Sequence, residues 1–442
     1  MGKIIFEGLL IIGSVSSFIR PWVGVVLAYL IIILTPQNIW WWNFSGTRPV
    51  LWILLPTIVG LGYQLISGSL KLSIMKNRQS LYLLGLWIFF ALSYAVGPYV
   101  NAVSPYKFHQ PSIIFGLVNK IFVLYFIGCV LINDQNRLRW LSVAMIISVI
   151  YLIFWTNNQY LSHLQIGRIG GPSGGTGGQI YSDENTFAML FVSGIPFLFY
   201  MGLYLKKKWL RWMLWLIIPF GWHAIFLTGS RGGLVGLSAT LMLLAFRSPK
   251  KMIGILMIPA FIAAFAWQAG DLMKSRAETI SEFETETSAA TRIQAWKAAL
   301  SMISDYPFSG VGLASFGPAF PDHSHDKPRE AHNTFLQITA ESGIFAGIMY
   351  LLISLSLIIG LWKNGIRYRN NWETDQNFQF MYYLNESVLV GFTGMFICAL
   401  FLSLQVYELF YYLCLLSNSI LFVSNRQFEN LNENFNQTSN VV

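Results

Sequence analysis

Arg231 lies in the turn TGSRGG (228–233), between two apolar runs that leave no room for a soluble loop. A guanidinium near hydrocarbon depth is costly unless it is paired or solvated in a cavity. At the start of an inward-running span it would be joined by the exposed amides of a helix N-terminus. A planar fork beside such amides suits an anion, phosphate above all. Gly229, Gly232 and Gly233 would let a ligand approach the backbone there. The plainer reading is an arginine whose head reaches the headgroup layer. His332 opens the apolar run 333–361 within EAHNTFLQITAESGIFAG (330–347). The field of a helix N-terminus would keep its ring neutral and able to accept a proton, although a histidine that merely caps the helix would look the same. Glu341 lies about 13 Å deeper at 1.5 Å per residue. At 100° per residue it faces away from His332. As an intramembrane acid it must be paired inside the bundle, in a structural ion pair or at a substrate.

Other chemistry-bearing residues carry weaker signals. Two histidines and two acids in DHSHD (322–326) have the ligand types for zinc, but no helix or strand frame fixes them, and no metal or other cofactor is expected. The glycine-rich stretch 167–178 lacks the Lys-Ser/Thr that follows in a nucleotide-binding loop, so flexibility over a substrate path is its expected use. Arg168 and the trio Asp183, Glu184 and Asn185 flank it at the membrane surface. His223 reads as a core histidine. Cys129, Cys398 and Cys414 all sit within apolar runs, which implies neither a metal cluster nor a disulfide framework.

The elements that position these residues are membrane spans. Of the 442 residues 55% are hydrophobic and 11% charged, against about 25% charged in soluble domains. Spans are predicted at 5–18, 21–35, 49–68, 79–99, 111–132, 139–155, 185–205, 210–229, 232–246, 252–269, 333–361, 384–403 and 405–424. The first two are short enough to form a single hairpin, which makes 12 or 13 spans of an all-α polytopic membrane protein. No cleavable signal peptide is evident. Five alternate short loops hold Lys71, Lys76 and Arg78; Arg137 and Arg139; Lys206, Lys207, Lys208 and Arg211; Arg247, Lys250 and Lys251; and Lys363, Arg367 and Arg369, about half of the 29 basic residues. Those loops are assigned to the cytoplasm. The net charge of +9 therefore reflects topology and not a nucleic-acid partner.

The remaining loops then face the periplasm. Among them 270–331 holds nine of the 20 acids and is large enough for a small domain. Within it 288–303 has helical periodicity. Ile293, Trp296, Leu300 and Ile303 share one face and Arg292 and Lys297 lie off it, as in a helix lying along the membrane surface. The chain divides into N-terminal helices (1–155), central helices with the glycine-rich outer loop (156–269), the periplasmic loop (270–331), C-terminal helices (332–424) and a disordered cytoplasmic tail (425–442).

Taken in order, Arg168 with Asp183-x-Asn185, the TGSRGG turn, Arg292-x-x-x-Trp296 with DYPFSGVGLASF (305–316), and His332-Asn333 with Gly343 beyond resemble the O-antigen ligase family over roughly residues 160–360. The stretch RPWVGVVLAYLIIILTPQ (20–37) is similar to ligases associated with exosortase systems. The resemblance implies a glycosyltransferase of the inner membrane. It would move a glycan, without a metal, from a polyprenyl (undecaprenyl) diphosphate carrier to an acceptor hydroxyl at the periplasmic face, the acceptor being a lipid, a protein or another glycan. His332 matches the family's essential histidine, and Arg231 and Arg292 match the arginines that hold the diphosphate. Arg168, Asp183, Asn185, Asn333 and Glu341 are the expected substrate-binding residues. A metal-free site needs fixed positive charge for the departing diphosphate, which arginine can supply. A polymerase using the same donor is the alternative enzyme. A transporter of lipid-linked oligosaccharide would carry inverted repeats and broken helices, of which the sequence has no sign. A membrane scaffold would leave Arg231, Arg292 and His332 without a role.

Overall fold

In a computed structural model of the protein the described residues are all except 1, 45–46, 69, 71, 103–109, 166, 174–179, 271–273, 275–286, 370–374 and 440–442. Among the described residues sixteen α-helices follow in order. They are α1 (Gly2–Ile19), α2 (Pro21–Leu34), α3 (Pro36–Ile39), α4 (Pro49–Ile66), α5 (Arg78–Val96), α6 (Pro111–Leu131), α7 (Gln135–Leu161) and α8 (Glu184–Tyr204). After them come α9 (Lys208–Thr228), α10 (Arg231–Arg247), α11 (Lys251–Gln268), α12 (Thr287–Asp305), α13 (Phe316–His323), α14 (Thr334–Arg369), α15 (Gln376–Ala399) and α16 (Glu408–Ser439). No strand occurs among the described residues, so the chain is an all-α polytopic membrane protein. A helix stands at each of the thirteen predicted spans, and ten helices are long and apolar enough to cross a bilayer by length and composition. Of the others, α10 has 17 residues, and α15 is enclosed by its neighbours, so it needs no lipid-facing hydropathy.

Side-chain caps start several helices: Asn77 accepts from Ser80 N (2.9 Å), Asp134 from Arg137 N (2.9 Å), Asp183 from Thr186 N (2.8 Å) and Ser230 from Gly233 N (3.0 Å). Each satisfies an amide that the first turn leaves open, worth about 1 kcal/mol. Helix α8 is the central post, with its whole apolar window buried, whereas only 6% of that of α11 is buried, at the rim.

Contacts sort the loops onto two faces. Gln135 reaches Asn377 (3.1 Å), Lys206 reaches Gln376 (3.4 Å) and Gln427 reaches Gln135 (2.9 Å). A crevice on the same side is lined by Arg20, Gln64 and Arg137. The basic loops thus share one face. At the opposite face Gly97 packs on Gly312, Tyr99 N bonds Val311 O (3.0 Å), and Ile169 N bonds Leu227 O (2.9 Å).

Three expectations need correction. The tail 425–442, expected to be disordered, is helical through Ser439, because Phe428 is buried against Tyr368 and Phe378 and Gln427 accepts from Tyr368 Oη (2.6 Å). Helix α12 buries not its Ile293/Leu300 face but its alanines. Ala295, Ala298, Ala299 and Met302 close a small core with Phe316 and Phe320, while Leu300 is 58% exposed. Alanine lets the helix approach α14 closely, which the bulkier face would prevent. The span 333–361 is also broken. Gly343 has φ 84°, ψ 168°, and the amide freed at Ile344 bonds Pro307 O (2.8 Å). A β-carbon at Gly343 would strike the Phe308 carbonyl, so only glycine fits this kink.

Candidate functional site

The site is built where the described part of 270–331 meets the tops of α8, α10 and α14. Trp296 donates its indole N–H to Ala331 O (2.9 Å), which seats α12 beside His332. Arg292 is one turn before Trp296 on the same side of the helix and is half-buried. His332 is half-buried and is not part of α14. Asn333 caps that helix instead, accepting from Leu336 N (3.1 Å). His332 itself has φ 48°, a left-handed backbone that a non-glycine residue adopts only when its surroundings insist.

Those surroundings form a connected network. His332 N donates to Ser403 Oγ (3.0 Å), and Ser403 donates to Gln337 Oε1 (3.1 Å), which also accepts from Ala331 N (2.9 Å). Gln337 Nε2 donates to Glu341 Oε1 (2.6 Å). Glu341, 1% exposed, accepts further from Ala314 N (2.7 Å), Phe316 N (3.2 Å) and Gln405 Nε2. A carboxylate accepting from backbone amides needs no cation to be stable in the bundle. The expectation of Glu341 at a substrate gives way to this geometry: it joins the turn 306–316 and the segment 400–407 to α14. Because His332 precedes the helix, the helical angle between His332 and Glu341 has no meaning.

Arg168 is held by three groups on two elements: Thr228 O (2.8 Å), Asn185 Oδ1 (3.1 Å) and Glu184 Oε2 (3.5 Å). Asn185 in turn donates to Asp183 Oδ2 (3.4 Å). The pairing of Arg168 with Asp183-x-Asn185 read from sequence is thus one physical cluster. It meets the TGSRGG turn, since Thr228 ends α9 and Arg231 begins α10.

The glycines around Arg231 have other work than admitting a ligand. Gly229 takes φ 61° to end α9, a β-carbon at Gly233 would strike Ala188, and Gly232 packs near Phe401 while its carbonyl accepts from Cys398 Sγ (3.4 Å). These contacts are informative, because segment 400–407 touches α10 through Phe401 and the His332 backbone through Ser403. Those contacts lie two positions apart, about 7 Å of extended chain. Arg231 and His332 therefore flank one short irregular segment. Tyr407 Oη completes it by donating to Thr186 O (3.3 Å) at the top of α8.

Electrostatically the pieces converge on His332. Burial lowers its pKa below the ordinary histidine value; nearby Glu330 and Asp183 oppose this, and Arg292 and Arg329 assist it. Burial, more than a helix N-terminus, keeps the ring neutral. DHSHD is dispersed: Asp322 accepts from Tyr99 Oη (2.7 Å), while His323 faces Ser301 (3.0 Å) and Asp305 (3.4 Å). His223 pairs with Asn157 Oδ1 (2.7 Å) and stacks edge-on to Tyr160. Residues 174–179 and the acids Asp271, Glu278, Glu282, Glu284 and Glu286 lie outside the described residues.

The family model described as O-antigen ligase matches residues 220–351. Over that stretch the chain is similar to the O-antigen ligase family. No curated protein matches the chain. The matched stretch contains Arg231, Arg292 and His332, together with Glu341 and the Gly343 kink, while Arg168, Asp183 and the segment 400–407 are contributed from outside the match. With ten helices among the described residues long and apolar enough to cross a bilayer, the molecule is a multi-pass membrane protein that is similar to O-antigen ligases over residues 220–351.

Sequence reasoning missed the segment 400–407, reading 384–403 and 405–424 as nearly continuous spans. The polar residues Ser403, Gln405 and Glu408 inside otherwise apolar sequence were the available signal.

Proposed function

We propose that the protein transfers a glycan from a polyprenyl diphosphate carrier to an acceptor hydroxyl at the periplasmic face. The observation that carries this reading is the convergence on His332: a ring kept neutral by burial, facing Arg292 and Asp183, on a backbone fixed by Ser403. A ring nitrogen of His332 takes the acceptor's hydroxyl proton as the oxygen forms its bond to the anomeric carbon. The bond from that carbon to the diphosphate oxygen breaks, and the diphosphate leaves on its polyprenyl chain. Arg231 and Arg292 stabilise the developing negative charge without a metal, and Arg168, at the mouth of α8, is in position to assist. Asp183, Asn185 and Asn333 line the approach. Glu341 acts through Gln337 and Ser403, as a positioning residue.

The outward assignment of this face rests on the basic loops gathered opposite it. Cysteine at Gln294, an exposed position on α12, should react with an impermeant thiol reagent in intact cells whose outer membrane is permeabilised. Labelling only after inner-membrane lysis would invert the topology and remove the reading. Surface glycan from a deletion strain tests the reaction itself. Long glycan retained on its polyprenyl carrier is expected of a lost ligase, and single repeat units would favour a polymerase.

A further inference from the structure

A second site lies among the N-terminal helices, remote in sequence from the matched stretch. A cavity of about 520 Å³ opens between α2, α4, α6 and the first turn of α16, inside the range of about 300–1,000 Å³ typical of ligand pockets. Its walls are apolar, with Ile32, Leu51, Leu54, Leu117, Ile121 and Leu124 among the lining residues. Two cations, Arg48 and Lys120, and one acid, Glu408, also line it. No ion pair joins any of the three to another described residue.

Lys120 is the unusual member. It is the tenth residue of the 21-residue α6, about 14 Å along the axis at 1.5 Å per residue, near the middle of a hydrocarbon core about 30 Å thick. It is nonetheless exposed on the helix surface. A lysine at that depth needs an anionic partner or a wet cavity. Its neighbour Asn119 is already engaged, accepting the Trp87 indole N–H (2.8 Å). Arg48 stands at the entrance, directly before Pro49 at the start of α4. Also in the lining, Tyr29 is 2% exposed and its hydroxyl, like Gln37 Oε1, has no hydrogen-bond partner among the described residues.

We propose that this cavity binds an anionic phospholipid, with the phosphate between Arg48 and Lys120 and one acyl chain along the α2–α4–α6 wall. Two cations against one acid select negative charge, and an oxygen-rich headgroup gives Lys120 the partner that the protein withholds. Apolar walls select a lipid over a free ion. The site is separate from the transfer centre, since neither Arg231, Arg292 nor His332 lines it. The two share a border at Glu408, which follows directly on the segment that seats His332.

Full-length protein, purified from micelles holding equal phosphatidylglycerol and phosphatidylcholine, would be weighed by native mass spectrometry. Wild type should retain phosphatidylglycerol in preference. Lys120→Gln and Arg48→Gln should each lower that preference about tenfold or more, the size of one lost charge-assisted bond. Leu117→Trp should fill the cavity and reduce retention with both cations intact. Arg231→Ala and His332→Ala should leave retention unchanged, so failure here is separate from failure of the transfer reading. Equal retention in the two charge variants would overturn the site. So would loss of the lipid in Arg231→Ala, or its complete displacement by millimolar inorganic phosphate, which would leave the apolar wall without a role. Should Lys120→Gln fail to fold, Arg48→Gln, at an exposed position before α4, carries the same test.

Discussion

Two arginines at opposite ends of α10 have opposite fates. At its C-terminal end Arg247, 8% exposed, grips Glu386, 0% exposed, through both oxygens (2.8 and 2.5 Å), with its guanidinium over the Trp362 ring at 4.5 Å. Gly365 lies so close that a β-carbon would strike Glu386 Oε1. This is a sealed fork-to-carboxylate pair that fixes α10 to α15 and α14. At the N-terminal end Arg231 is half-buried and keeps accessible surface, as does Arg292. Arg168 shares the pattern: it and Glu184 keep 25% and 28% of their side-chain surface. One helix therefore carries a structural cation and a candidate functional one. Accessible surface separates them: a charge sealed away with its partner has nothing left to offer a ligand, whereas Arg231 can still be reached.

That contrast predicts which variants lose chemistry and which lose the fold. The largest expected effect is on turnover at His332. Replacing it with alanine should leave a folded, inserted protein and cut the transfer rate by about 10²–10⁴. Donor binding should survive, because the arginines hold the diphosphate. A base must be unprotonated, and burial lowers the ring's pKa. The rate should therefore hold as pH falls to about 6.5, the ordinary histidine value, and decline only below it. This acid limb should vanish in the residual activity of the alanine variant. Normal turnover in that variant would reduce His332 to a structural residue.

At the sealed end Glu386→Ala should instead cost about 3–5 kcal/mol of stability by stranding a buried guanidinium. It would be read as a lower melting temperature and less inserted protein. The pair Glu386→Leu with Arg247→Met should recover much of that loss, since an apolar replacement strands no charge. A double variant as unstable as the single would mean that the pair contributes more than its own neutralisation.

Next in size is Arg231→Lys, expected to impair transfer nearly as much as Arg231→Ala at normal protein levels, because an ammonium keeps the charge and loses the planar fork. Retention of most activity by lysine would make simple charge sufficient. The smallest expected effect is that of excess chelator on the purified protein: the rate should stay constant, since arginines supply the positive charge. Loss under chelator, restored by magnesium or manganese, would overturn the arginine-only account.

Much of this arrangement was legible in the sequence, for identifiable reasons. Span centres followed from length and hydropathy, and all thirteen predicted positions hold helices. Arg231 reads as a helix start because two apolar runs leave no room for a soluble loop around it, and Arg168 reads with Asp183 and Asn185 because a cation and an acid flank the same loop. What was not legible depends on contacts distant in sequence. The alanine face of α12 is chosen by the close approach of α14, which periodicity, counting only the large apolar residues, assigns to the wrong side. The break at Gly343 is set by the turn at Pro307 and Phe308, some thirty-five residues earlier. The segment 400–407 looks like continuous span because its polar atoms are satisfied by Glu341, Gln337 and Thr186, none of them near in sequence.

The left-handed backbone at His332 also bears on how the protein could be engineered. Such a conformation costs a non-glycine residue roughly 1–2 kcal/mol, and glycine there would be free of that penalty. A thermostability screen run without an activity assay should therefore enrich His332→Gly, together with changes that stiffen the Ser403–Gln337 network around it. The resulting scaffold would melt later and keep only the residual transfer expected of the alanine variant. Stability and turnover compete at this residue through its φ angle, so a stabilised version of the protein is best sought at the sealed Arg247–Glu386 end, where the two do not meet.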